Sequence, residues 1–186
     1  MERDPHREDP LLIPEELAES FEPIVGQAVT LRPLRPEDAD IETAFLTGLS
    51  PETRASRLLG GVVKITREYI EQLTNVDYRR DMAIAATEML AGRETLIGVA
   101  RYVLDAGGAG CEFAIVIADA WQGRGIGRRL LEKLIAVARA RGIRRIYGDV
   151  LAVNAAMLAL ARKLGFTLGR VPGDQTLTRI ELELNA

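Results

Sequence analysis

The residues with the clearest chemical capacity lie between Cys111 and Arg129, C-E-F-A-I-V-I-A-D-A-W-Q-G-R-G-I-G-R-R. After Gln122, the glycines Gly123, Gly125 and Gly127 alternate with Arg124, Ile126 and Arg128. A helical pattern then begins, with Ile126, Leu130, Leu131, Leu134, Ile135 and Ala138 on one side. The first N–H groups of a helix have no partner within it and lie at the positive end of its dipole, so such a turn can hold an anion. Glycines let the backbone approach that anion closely. Arg124, Arg128 and Arg129 add positive charge, and the expected guest is a phosphate or pyrophosphate. Two common phosphate motifs are excluded. The dinucleotide fingerprint needs a glycine where Arg128 stands, and the loop of nucleotide hydrolases needs Gly-Lys followed by Ser or Thr.

Ahead of the turn, the run containing Ile115, Val116 and Ile117 reads as a strand buried on both faces. Glu112 is the carboxylate inside that strand. Burial would raise its pKa toward a value useful in a general base, whereas a place at the strand end facing water would leave it solvated. Alternation puts Glu112, Ala114 and Val116 on one face and Phe113, Ile115 and Ile117 on the other. Cys111 has no histidine beside it and reads as a small buried hydrophobe rather than a nucleophile. The single histidine, His6, lies near the N-terminus, which argues against histidine-based triads.

These residues need a scaffold. With 186 residues and 47% hydrophobic composition, the chain suffices for one domain with a proper core. Residues 1–25 hold 8 acidic and 2 basic residues and four prolines, and are expected to be a flexible arm with at most a short helix at 15–20. Within that arm, Leu11, Leu12 and Ile13 are candidates for docking. The domain proper is expected over 26–186. Ala28 to Arg35 alternates as a strand, placed at a sheet edge by Pro33. Helices are predicted from Pro36 to about Leu49, from Pro51 to about Leu59, and from Thr66 to Leu73. Strands follow over Met82–Glu88 and Thr95–Leu104, joined by a turn at Ala91 and Gly92, and then the Cys111 strand. Beyond the Ile126 helix, Arg144–Val153 reads as a strand and Asn154–Leu164 as a helix, with Asn154 as its cap and a last strand near Thr176–Leu184. The expected class is α/β, a mixed and mostly antiparallel sheet flanked by helices in the order β-α-α-β-β-β-α-β-α-β.

Composition narrows the function. One cysteine and one histidine suit neither a disulfide nor a structural zinc site, so no metal is expected. No apolar run approaches membrane-spanning length, and the acidic start is unlike a signal peptide, which makes the cytoplasm the expected compartment. The chain outside the arm is mildly basic, which suits an anionic ligand; its arginines are dispersed and do not form the stripe that nucleic acid would need.

Gln122, Gly125 and Gly127, with the strand before them and the helix after, resemble the acetyl-CoA loop of the GNAT superfamily of N-acetyltransferases. The Asn154 helix closing in Gly165 and Phe166 resembles that family's second motif. The resemblance implies the GNAT fold and acetyl-CoA as acyl donor. It places Ile115, Val116 and Ile117 along the pantetheine arm, and Gln122, Gly123, Arg124, Gly125, Ile126, Gly127 and Arg128 around the pyrophosphate. Asn154 would hydrogen-bond the CoA arm as well as cap its helix. The helices between the first two strands would form the acceptor wall. The segments S-P-E-T-R-A-S-R-L-L, D-Y-R-R-D-M-A-I-A-A, C-E-F-A-I-V-I and A-R-K-L-G-F further resemble the catalytic domain of bacterial Pat-type protein lysine acetyltransferases. That likeness implies Glu112 as general base and an AMP-forming acyl-CoA synthetase, such as acetyl-CoA synthetase, as protein substrate. Relatives commonly have aromatics where Leu58 and Leu59 stand, and a tyrosine acid where this chain has Ala161. The alternatives are an acetyltransferase for a small amine or antibiotic, and a non-catalytic acyl-CoA-sensing module.

Overall fold

The computed structural model describes residues 14–184. The docking segment expected at Leu11, Leu12 and Ile13 lies outside them. A one-turn 3-10 helix at Glu15–Leu17 leads into β1 (Glu19–Ile24) and β2 (Gln27–Pro33). Three helices follow, α1 (Ala39–Gly48), α2 (Pro51–Arg57) and α3 (Arg67–Thr74). The chain then runs β3 (Met82–Leu90), β4 (Arg93–Leu104), β5 (Gly110–Ile117), α4 (Ile126–Ala140), β6 (Arg145–Leu151), α5 (Ala155–Lys163), β7 (Thr167–Val171) and β8 (Asp174–Glu183). The eight strands form one sheet in the order β1-β2-β3-β4-β5-β6-β8-β7, antiparallel throughout except for β5 beside β6.

The sheet is therefore mixed and mostly antiparallel, as expected, with two strands beyond the expected order. β1 falls inside the segment read as a flexible arm. Its Pro23 and its glutamates argued against structure, but an edge strand tolerates proline, and Glu19 is held by Lys133 of α4 at 2.7 Å. β1 reaches only to the pair Glu19↔Leu31, so Pro33 at the end of β2 lies on a locally open edge although β2 is not the outermost strand. β7 pairs with β8 across a turn that contains Gly173 at φ 83°. Its T-L-G-R-V sequence is too short and too polar to stand out.

Local signals set the helix starts. Ser50 accepts a hydrogen bond from the Thr53 N–H at 3.2 Å, and Thr66 accepts one from the Tyr69 N–H at 3.2 Å. Asp38 accepts two hydrogen bonds from the Arg32 guanidinium, each 2.7 Å, and one from the Arg35 N–H at 2.7 Å, fastening the approach to α1 onto β2.

Helices cover both faces of the sheet. On one face, Arg101 of β4 meets Glu42 of α1; it is opposite Ala114 on β5, so α1 lies over the side that also carries Glu112. On the other, Phe113 packs on Phe166 with ring centroids 5.5 Å apart, and Ile115 and Ile117 approach Gly127 of α4 and Leu160 of α5. The core is continuous, and its most enclosed side chains include Tyr102, Leu31, Ile84, Leu130, Leu134, Ile146 and Ile180. No helix among the described residues is long and apolar enough to cross a membrane.

Candidate functional site

The site begins where two strands part. β5 pairs with β6 only through Gly110↔Arg145, Cys111↔Ile146 and Glu112↔Tyr147. Just past the last pair, a Cβ on Gly148 would lie 2.9 Å from the Phe113 carbonyl oxygen and 3.2 Å from its ring, so glycine is needed for β6 to pass this close. Beyond it the ladder stops, and the β6-facing edge of residues 114–117 has no strand partner. An extended ligand arm with amide groups can lie along such an edge as a further strand would.

The slot leads to the glycine turn. Gly123 and Gly125 have φ of 73° and 83°, a region that favours glycine, and a Cβ built on either meets nothing within 4 Å. Gly125 is the N-cap of α4, which has no side-chain cap and no acidic residue in its first turn. Its leading N–H groups are thus left for an anion. Ile126 is fully buried, so only its backbone can serve a ligand, while the half-buried Ile115 and Ile117 and the buried Val116 form the rail beside the slot. Parted strands, left-handed glycines and an uncapped helix fit the pantetheine and pyrophosphate of acetyl-CoA, which supplies an activated acetyl thioester.

The expected arginines are less free than their sequence suggests. Arg124 stacks on Trp121 at 5.0 Å from the ring centroid, and Arg128 pairs with Glu132 at 2.7 Å, one turn further along α4. Arg129 stacks on Phe21 of β1 at 4.9 Å and belongs to the strand packing rather than to the turn. The Gln122 amide is also engaged, donating to the Thr53 hydroxyl and to the Ile117 carbonyl, both at 3.1 Å. Asn154 caps α5 by accepting from the Met157 N–H at 3.1 Å. Ala161 is fully buried in α5.

Glu112 takes the solvated placement: it is exposed. Its neighbour Tyr147 donates a hydrogen bond to Asp105 at 2.7 Å, which pushes the phenol up to about 12. Arg145 and Arg179 stack on the same ring, at 5.1 and 5.0 Å from its centroid. Burial likewise pushes the Cys111 thiol up to about 12, which rules against a thiolate nucleophile.

Two groups of polar residues escaped the sequence reading. Glu42 is 2% exposed and faces Arg101 at 3.5 Å, its second carboxylate oxygen without a partner. Asp119, just after β5, accepts hydrogen bonds from the Ser50 N–H, the Ser50 hydroxyl and the Thr53 hydroxyl at 2.9, 2.7 and 2.6 Å. Neither group has a sequence signature, because each joins residues more than fifty positions apart.

Residues 62–166 match the Acetyltransferase (GNAT) family. The chain is 39% identical over 151 residues to Acetyltransferase PA5475 of Pseudomonas aeruginosa, covering 81% of each protein. It is 32% identical over 158 residues to Acetyltransferase Pat of Mycolicibacterium smegmatis, covering 84% of this chain and 46% of Pat. The crystal structure of the GNAT domain of S. lividans PAT superposes with a TM-score of 0.80 at 29% identity, covering 91% of this chain and 98% of that one.

Proposed function

Because the chain belongs to the GNAT family and is an acetyl-CoA-dependent acetyltransferase, we propose that it acetylates a lysine side chain of a protein, with Glu112 as general base. The acceptor is an AMP-forming acyl-CoA synthetase such as acetyl-CoA synthetase, which places the enzyme in the cytoplasm. The likeness to Pat over 84% of the chain supports this acceptor class. The observation that supports the site reading is the end of the β5–β6 ladder at Glu112, the last paired residue before the slot opens.

A lysine amine has a reference pKa of about 10.4 and must lose a proton before it can attack. Glu112 takes that proton. The transfer runs directly or through water. Its exposure gives Glu112 access to that water. Strand N–H groups near Val116 polarise the carbonyl oxygen. The C–N bond forms as the C–S bond breaks, and the departing thiolate takes its proton from water, since the buried Ala161 has no proton to give. Gln122, Gly123, Arg124, Gly125, Ile126, Gly127 and Arg128 surround the pyrophosphate, Ile115, Val116 and Ile117 line the pantetheine arm, and Asn154 holds the arm while capping α5. The helices α1, α2 and α3 form the acceptor wall.

The test incubates the protein with labelled acetyl-CoA and either purified acetyl-CoA synthetase or a panel of small amines. Label on a synthetase lysine is the expected result. Label confined to the small amines overturns the protein-acceptor reading.

A further inference from the structure

Asp119 stands between the cofactor strand and the glycine turn, yet its carboxylate points to neither. One oxygen accepts from the hydroxyls of Ser50 and Thr53, the other from the Ser50 N–H. These donors are the N-cap and first turn of α2, more than sixty residues away in sequence. The Thr53 hydroxyl also accepts from Gln122, whose amide reaches back to the last carbonyl of β5. Helix α2, the end of β5 and the start of the glycine turn thus share one hydrogen-bonded knot.

We infer that Asp119 is a positioning residue that sets α2 against the cofactor turn, so that use of the acceptor depends on a carboxylate that touches neither substrate. Three donors on one exposed carboxylate is more than solvation needs, and they hold Asp119 down to about 2, so the knot is intact across the neutral range. Helix α2 also brings Arg54 and Arg57 to a pocket shared with Leu46 of α1, Leu49 just after it, Ile65, and Tyr69 of α3. A helix of seven residues has little stability of its own, and its place depends on such tertiary ties. Loosening the Asp119 contacts moves the pocket, while the turn beyond Gln122 is held by the left-handed Gly123 and Gly125 and by α4.

This rests on the reading that α1, α2 and α3 form the acceptor wall, but its test does not need the acceptor to be a synthetase, because it uses whichever amine the wild type acetylates. Asp119→Asn should lower kcat/KM for the acceptor about tenfold, with the dissociation constant for acetyl-CoA, measured by calorimetry, within about twofold of wild type. In the protein without ligand, amide hydrogen exchange over residues 51–58 should quicken while that of 126–138 holds. Thr53→Val should reproduce the loss and Thr53→Ser should restore the rate, which separates the hydroxyl from simple packing and serves if Asp119→Asn fails to fold. Acceptor kinetics within twofold of wild type in both Asp119→Asn and Thr53→Val, a matching loss of acetyl-CoA affinity, or equal damage from Thr53→Ser and Thr53→Val would each overturn the inference.

Discussion

At the residue scale, the informative carboxylates are Glu112 and Glu42, the first exposed and the second buried. Glu112 lies in an apolar strand yet is exposed, as is Val103 opposite it on β4. Its usefulness then depends on position and water access. Glu112→Gln keeps the size and removes the basicity, so kcat should fall about 100-fold or more while acetyl-CoA affinity holds; steady-state rates together with calorimetry check this. Glu42 of α1 is buried, and burial pushes its carboxyl upward despite the Arg101 charge. Its free oxygen shows an imperfectly matched pair. Arg101→Met should therefore cost about 3–5 kcal/mol by stranding a buried carboxylate, and adding Glu42→Leu should recover most of that loss. Denaturant midpoints of the single and double variants decide it.

Elements carried most of what the sequence could tell. The strand, glycine turn and helix from Cys111 to Ala140 were legible because each part has its own local cause: an apolar run, left-handed glycines, a 3.6-residue period. The Ala91–Gly92 turn and the start of α2 at Pro51 were legible for the same reason. The parting of β5 from β6 was not, because it depends on which strands become neighbours and on the close pass of Gly148 over Phe113. The knot at Asp119 was hidden likewise, since only the fold brings residue 50 to residue 119. The parting can be tested at its pivot. In Gly148→Ala the new methyl meets a backbone oxygen at 2.9 Å, which cannot rotate away as a flexible side chain would. The strands must shift, at an expected cost of about 1–3 kcal/mol, and acetyl-CoA binding should weaken with it. Thermal unfolding and calorimetry on this variant would show both effects, and a stability loss with unchanged affinity would place the slot elsewhere.

For the whole molecule, the charge asymmetry of the sequence turns out to be partly an internal bond. The acidic residues of the first 25 outweigh the basic ones by six, while the remainder is mildly basic. Two of those acids pair across the fold, Glu15 with Arg35 at 2.7 Å and Glu19 with Lys133 at 2.7 Å. The second tie joins the first strand of the sheet to the helix behind the glycine turn, and Phe21 lies under Arg129 of that same helix. The segment beginning near residue 15 thus belongs to the domain, and the boundary drawn at residue 26 cuts through it. A chain beginning at residue 26 would lose the partly buried Leu17, Phe21 and Ile24 from the core margin. It would also leave the β2 edge unpaired. Half-burying three such side chains contributes about 2–4 kcal/mol, and an open strand edge invites association between copies. Compared with a chain beginning at residue 14, the shorter protein should unfold at a lower denaturant concentration and form larger species in size-exclusion chromatography. Equal midpoints for the two would mean that β1 adds nothing to the stability of the fold.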